Sequence, residues 1–144
     1  MNRKLFLLAL AVLFWTTEGD LRAEEAFRVI VNANNPTTTL DKAKLERLFL
    51  KKESRWADGS KVQPVDRDVA AASRIAFSRS VLAKEVAWVK SYWQRQLFSG
   101  RDTPPPELDS DRDVLEYVGK NVGAIGYISP ATPLGAGVKT LAIH

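Results

Sequence analysis

Apolar positions alternate between strand-like and helix-like spacing along residues 27–144, and this alternation predicts an α/β fold. Residues 27–34 form the first predicted strand, because three β-branched residues are adjacent there. A helix is predicted over about 42–50, with Asp41 as its N-cap. Its apolar face is made by Leu45, Leu48 and Phe49.

The middle of the chain predicts a short buried strand that turns sharply into a helix. Val62 and Val65 supply the strand, and three charged residues follow it in a turn. Two helices are predicted next, over about 70–82 and 84–98. The second helix carries an apolar stripe at helical spacing, formed by Val86, Val89, Trp93 and Leu97. We therefore expect Trp93 to lie in the core.

The remaining elements complete the order β-α-β-α-α-α-β-β. A short helix is predicted over about 112–120, a buried strand after the turn at 123–124, and a final strand over 138–143. Strands that alternate with helices favour a mainly parallel sheet with helices on both faces. Ligands of such sheets bind at the carboxyl ends of the strands, near helix N-termini.

Residues 1–23 have the pattern of a secretory signal peptide. Two basic residues precede an apolar run of eleven residues, Leu5–Trp15, and a polar segment ends at Ala23. The run is too short to span a bilayer. The prediction is cleavage after Ala23 and a periplasmic domain over 24–144; the alternative is an uncleaved N-terminal anchor.

Composition excludes several function classes. Without residues 1–23, the chain keeps 18 basic and 15 acidic residues, a balance too weak to indicate nucleic-acid binding. It contains no cysteine, and its one histidine is the terminal His144. There is no glycine-rich nucleotide loop. The sequence therefore predicts neither an enzyme nor a bound cofactor or metal.

The strand-to-helix junction around Arg67 has the outline of an anion site. The first turn of a helix leaves backbone N–H groups unpaired, and an arginine beside them adds a fixed positive charge. The alternative is that Arg67 merely pairs with Asp66 or Asp68 in the turn.

Three other features have a functional and a structural interpretation. Trp88 and Tyr92 could stack on a ligand, but such aromatics more often serve core or lobe-edge packing. The alternating acids at 109, 111 and 113 could hold a cation, but acids also favour a helix start. The lysines at 51 and 52 could form a contact patch, or simply end a helix in solvent.

An ordered series of short motifs resembles the phosphate-binding proteins of ABC transporters, within the type 2 periplasmic binding protein class. The motifs are Leu45-Glu46-Arg47-Leu48-Phe49, Trp56-x-Asp58-Gly59, Pro64-Val65-Asp66-Arg67, Phe77, Tyr92-Trp93, Gly100 and Gly123-Ala124-Ile125-Gly126-Tyr127. The resemblance covers about Val29–Ile143 and matches one of that family's two lobes.

The resemblance implies an anion loop at residues 67–73. The family's loop reads Arg-Ser-Asp-Gly-Ser-Gly-Thr; here Arg67 keeps the arginine and Ser73 keeps the last hydroxyl. Ala71 replaces the middle serine and Ala72 replaces a glycine, while Asp68 adds a negative charge. These five residues, Arg67, Asp68, Ala71, Ala72 and Ser73, are the predicted ligand-binding set.

The function implied is recognition of phosphate or a related oxyanion. A single lobe leaves the anion half solvated, so binding on the order of millimolar is expected, about −4 kcal/mol. Tight binding would need a partner lobe from another chain, and a membrane permease, a porin or a sensor protein could be the client. The alternative is a lobe that binds no ligand and serves as an interaction or sensory module.

Overall fold

A computed structural model describes residues 26–144 of the chain. The predicted signal peptide, residues 1–23, lies outside the described residues. In the described part, no helix has both the length and the apolar character needed to cross a membrane.

The described chain contains short strands and four α-helices in alternation. The strands are β1 (Arg28–Asn32), β2 (Thr39–Leu40), β3 (Gln63–Pro64), β4 (Asp66–Arg67), β5 (Glu107–Leu108), β6 (Ala124–Ile128), β7 (Val138–Thr140) and β8 (Ala142–Ile143). The helices are α1 (Lys42–Phe49), α2 (Ala72–Phe77), α3 (Val86–Phe98) and α4 (Asp111–Lys120), and a π-helical segment (Ser78–Leu82) continues α2.

The main sheet is mixed, so the prediction of a mainly parallel sheet was wrong. Its strand order is β3-β6-β1-β7. Strand β1 runs antiparallel to both neighbours, with Arg28 opposite Ile128 and Ile30 opposite Thr140, whereas β3 and β6 are parallel. The connection from β1 to β3 is long and includes β2, α1 and a turn. It can therefore reverse the chain direction, which strand–helix alternation does not reveal.

Helices cover both faces of this sheet, as predicted. Side chains along a strand point to opposite faces in turn. On β1, Val29 and Val31 pack into a core with α1, α2 and α3, whereas Ile30 packs into a second core with α4. On β6, Tyr127 belongs to the first core and Ile128 to the second.

The two glycines of the Gly-Ala-Ile-Gly-Tyr motif are required by close packing. A Cβ atom on Gly126 would lie 2.7 Å from Val114 Cγ1 and 3.0 Å from Val65 Cγ2. A Cβ atom on Gly123 would lie 2.3 Å from the Lys61 carbonyl oxygen. The motif thus brings α4 and the start of β3 against β6.

Helix α3 is packed by its first three turns only. Val89 and Trp93 are buried, which confirms the predicted place of Trp93 in the core. Leu97, expected on the same face, is 51% exposed, because the last turn of the helix runs beyond the core. Trp88 stacks on Tyr92 with a centroid distance of 5.6 Å. The Tyr92 hydroxyl donates to Leu50 O, so Tyr92 packs against the fold, whereas Trp88 is 36% exposed.

Candidate functional site

The predicted junction forms where the short strand β4 ends and α2 begins. Strand β4 pairs in parallel with β5, and the Asp68 N–H donates to Leu108 O at 3.1 Å. Asp68 then shapes the turn: its carboxylate accepts from the Ala70 N–H at 2.7 Å, and its carbonyl accepts from the Ala71 N–H at 3.0 Å. Ala71 is the N-cap residue and has no capping side chain.

The first turn of α2 presents backbone donors. The Ile75 N–H donates to Ala71 O at 3.1 Å, so the N–H groups of residues 72–74 precede the first hydrogen bond of the helix. Ala72 is exposed and Ala71 half-buried, whereas Ser73 is buried. The α-helical turn and the π-helical segment together run over residues 72–82, which agrees with the helix predicted over 70–82.

The Arg67 side chain points toward α4, on the other side of β4. Its Nε atom lies 3.4 Å from Asp111 Oδ1, and its Nη2 atom donates to Asp109 O at 3.4 Å. Pairing with Asp66 or Asp68, the simpler interpretation of the sequence, is therefore wrong. The chain brings Arg67 together with the start of α4, about 40 residues later, and this partner was not predicted from the sequence.

Asp111 is held firmly at the start of α4. Its Oδ2 atom accepts from the Ser129 N–H at 3.0 Å and from Thr132 Oγ1 at 2.7 Å. Burial opposes ionisation, but these hydrogen bonds and the charge of Arg67 hold the pKa of Asp111 below its usual value. Asp111 is therefore a carboxylate at neutral pH.

Two of the alternating acids, Asp111 and Asp113, lie in the first turn of α4, where acidic side chains are favoured, and Asp111 pairs with Arg67. Ser110 is the N-cap, and its hydroxyl accepts from the Asp113 N–H at 3.1 Å. Within residues 26–144, no group of three acidic or histidine side chains is arranged to hold a metal ion. The lysines at the end of α1 also make ordinary ion pairs, Lys51 with Asp102 and Lys52 with Glu46.

Beneath the junction lies a buried charged cluster that sequence reasoning missed. We call Asp66, Arg74 and Tyr127 the buried triad. Arg74 Nη1 lies 3.3 Å from Asp66 Oδ2 and donates to Arg67 O at 2.9 Å. The Tyr127 hydroxyl donates to Asp66 Oδ1 at 2.7 Å and accepts from the Arg67 N–H at 3.3 Å. Arg74 is only 2% exposed.

Burial controls the titration of the triad. It raises the pKa of Asp66 to about 6, against the opposing effects of the Arg74 charge and the Tyr127 hydrogen bond. Burial also raises the pKa of Tyr127 well above its usual value. The tyrosine therefore remains a hydroxyl donor, and Asp66 is a carboxylate above about pH 6.

A sequence signal for Arg74 was present. Arg74, Phe77, Ser78 and Val81 are all buried and follow the spacing i, i+3, i+4, i+7. An arginine on a buried stripe needs an acidic partner, and Asp66 lies just before the helix.

One cavity of the described chain lies away from this junction. It has a volume of about 360 Å³ and extends between the end of α1 and the start of β3, with Lys51, Lys61 and Asp102 among its lining residues. None of the predicted ligand-binding residues lines it.

Comparison with solved structures identifies the fold. The chain is similar to a putative phosphate ABC transporter substrate-binding protein with bound phosphate from Clostridium perfringens, with a TM-score of 0.65 and 19% identity. It is also similar to an ABC-type phosphate transport receptor from Vibrio cholerae, with a TM-score of 0.64 and 18% identity. A third similar structure is PstS from Borrelia burgdorferi, with a TM-score of 0.64 and 15% identity.

The coverage of these matches is unequal. They cover 82%, 82% and 83% of this chain, but only 44%, 46% and 47% of the Clostridium, Vibrio and Borrelia chains. The chain therefore spans less than half the length of these structures, as expected for a single lobe. The sequence matches no protein-family model and no curated protein. The resemblance drawn from the sequence motifs is confirmed at the level of the fold.

Proposed function

We propose that this chain is an exported, solute-binding-like protein of the type 2 periplasmic binding protein class that binds phosphate or a related oxyanion weakly. The observation that supports this most strongly is the position of Arg67. It lies at a strand-to-helix junction in a fold shared with proteins described as phosphate-binding.

The proposed site combines Arg67 with the first turn of α2. The N–H groups of Ala72 and Ser73 provide backbone donors, and Arg67 provides the charge. Ala71 is the N-cap residue of α2, but it supplies no donor to the anion, because its N–H donates to the Asp68 carbonyl. The Arg67 guanidinium must turn from Asp111 toward α2 to act as a clamp.

Several features make this binding weak. The described residues supply one wall of a site, so a bound anion keeps much of its hydration and is screened by water. Ala71 and Ala72 add no side-chain donor, and the carboxylate of Asp68 repels an anion nearby. Dissociation constants on the order of millimolar follow, about −4 kcal/mol.

The proposed cellular role follows from the class of protein. The domain acts in the periplasm after removal of residues 1–23 and delivers its anion, or reports it, to a permease, a porin or a sensor protein. It performs no catalysis and binds no nucleic acid. A lobe that binds no ligand and serves as an interaction module is the alternative that a negative titration would favour.

The test is a titration of residues 24–144 with phosphate and sulfate at low salt. Isothermal calorimetry and backbone NMR monitor the binding. We expect saturable binding, with the largest amide shifts at residues 71–74. Arg67→Ala should weaken binding at least about tenfold, because a hydrogen bond to a charged donor contributes about 1.5–3 kcal/mol. Ser73→Ala should weaken it by about threefold or less, since its hydroxyl is neutral and buried.

Two variants complete this experiment. Asp68→Asn should tighten binding slightly, because it removes a like charge and keeps the oxygen that accepts from the Ala70 N–H. Arg79→Ala is the matched control, since Arg79 is an exposed arginine paired with Glu85. The proposal is wrong if wild-type protein shows no saturable binding up to high millimolar phosphate. Binding that persists unchanged in Arg67→Ala would place the site elsewhere on the lobe.

A further inference from the structure

We propose that Asp111 sets the anion affinity of Arg67 by acting as an internal anion that occupies its guanidinium. This inference rests on the proposed function, since it concerns the same arginine. It assigns to Asp111 a role that the motif comparison does not contain: the residue limits how strongly Arg67 can hold an external oxyanion.

The geometry around Asp111 places a carboxylate against the Arg67 guanidinium, which must turn from it to reach an anion on α2. The Oδ2 atom collects two donors, the Ser129 N–H at 3.0 Å and the Thr132 hydroxyl at 2.7 Å. The Oδ1 atom faces Arg67 Nε at 3.4 Å. A backbone amide, a hydroxyl and a guanidinium are the donor types that hold oxyanions in proteins.

Two donor atoms of Arg67 nevertheless make no hydrogen bond. Its Nε and Nη1 atoms are buried and make no hydrogen bond, and the same holds for Asp111 Oδ1 beside them. Only Nη2 donates, to Asp109 O. The pair is therefore held by charge and not by the two parallel hydrogen bonds that an arginine and an oxyanion form when they bind directly.

Asp111 cannot easily leave this position, because the Ser129 and Thr132 donors hold its other oxygen. An external oxyanion must therefore approach a guanidinium whose charge is already neutralised. It also meets the repulsion of the Asp111 carboxylate. Removal of that single negative charge should therefore strengthen the attraction between Arg67 and an added anion.

The pair is reachable from solvent. The side chains of Arg67 and Asp111 are 12% and 15% exposed, whereas Arg74, seven residues further on, is 2% exposed. Because Arg67 Nε and Nη1 are buried, an added anion can bind them only after the guanidinium has turned away from Asp111, while Arg74 Nη1 is held inside the fold by Asp66 and by Arg67 O. This contrast makes Arg67, and not Arg74, the arginine whose charge Asp111 must control.

The experiment measures phosphate and sulfate affinity at low salt for the wild type and three variants. Asp111→Asn keeps the shape and one acceptor oxygen, and should bind at least tenfold more tightly. Asp113→Asn is the matched control, an exposed acid in the same helical turn, and should stay within twofold of the wild type. Arg67→Ala combined with Asp111→Asn should lose the whole gain.

Each result decides between the claims. Tighter binding in Asp111→Asn but not in Asp113→Asn supports the inference. An equal gain of anion affinity in both variants would mean that the net charge of the protein explains the effect, and it would overturn the inference. If Arg67→Ala weakens wild-type binding while Asp111→Asn leaves it unchanged, the proposed function stands and the inference fails. If neither the wild type nor Asp111→Asn binds an anion, both fail.

A second variant guards against misfolding. Should Asp111→Asn unfold, Asp111→Ser serves in its place, because serine is short, uncharged and favourable near a helix N-terminus. It should give the same gain of at least tenfold. A folded Asp111→Ser protein with wild-type affinity would overturn the inference.

Discussion

Two neighbouring residues of β4 lead to two very different ion pairs. Asp66 points into the first core and belongs to the buried triad, where Arg74 is 2% exposed. Arg67 points the other way, because successive side chains of a strand alternate, and meets Asp111 at the surface. One pair joins strand to helix inside the fold, and the other joins two surface segments.

The two pairs differ in burial more than in contact distance. Arg74 and Asp66 are 2% and 8% exposed and lie 3.3 Å apart, whereas Arg67 and Asp111 are 12% and 15% exposed and lie 3.4 Å apart. Asp66 accepts one hydrogen bond, from the Tyr127 hydroxyl, and its other oxygen pairs with Arg74. Asp111 is bound through one oxygen, and the oxygen that faces Arg67 makes no hydrogen bond. The more buried pair fixes structure, because removal of one partner leaves a charge in the core, whereas the more exposed pair can exchange one partner for a ligand. Three predictions test this contrast.

The largest effect is expected from Arg74→Met, which removes the charge and keeps most of the apolar stem. Asp66 would remain buried without its cation, so unfolding should become about 3–5 kcal/mol easier at neutral pH. Urea unfolding followed by tryptophan fluorescence measures this. Arg79→Met, at an exposed position, is the control and should cost about 0.5 kcal/mol or less. A cost below about 1 kcal/mol for Arg74→Met would mean that the triad does not stabilise the junction.

The free energy of unfolding should depend on pH through the titration of Asp66. Its pKa rises from 3.8 in the unfolded chain to about 6 in the fold, so the folded state binds the extra proton between these values. The Asp66 contribution should therefore fall as pH rises from about 4 to above 6, by about 3 kcal/mol in total. Comparison of wild type with Asp66→Asn isolates this slope, because the other carboxyl groups titrate alike in both. Parallel stability curves would contradict the prediction.

The smallest effect on stability is expected from Arg67→Ala. Asp111 keeps its bonds from Ser129 and Thr132, so no carboxylate is left without a partner. The cost should be about 1 kcal/mol or less, as for a partly exposed ion pair. The urea midpoint measures it. A cost equal to that of Arg74→Met would remove the distinction between the two pairs.

Local signals explain which elements could be predicted from the sequence. Asp41 caps α1 as predicted, with its carboxylate accepting from the Lys44 N–H, because a cap depends on residues three apart. The strand predicted over 27–34 is found as β1, and Gly59 adopts the positive φ that its turn requires. Such signals fix what each segment forms but not the direction in which it runs.

Long-range partners explain what was missed. The antiparallel place of β1 depends on β6 and β7, and the two-residue strand β5 exists only through its pairing with β4. The partner of Arg67 comes from a helix start about 40 residues away. The sequence marked Arg67 and its turn because both are local, whereas Asp111 could be assigned only after the fold had brought the two segments together.

The central position of β1 has a consequence for how the chain folds. Arg28 pairs with Ile128, 100 residues later, and Lys42 N–H donates to the carbonyl of His144. The middle strand of the sheet therefore stays without partners until almost the whole chain has emerged from the ribosome. Folding should be slow for a domain of this size, because such distant pairings carry a large loop-closure cost. Until those partners are available, β1 is an apolar strand with both of its edges unpaired.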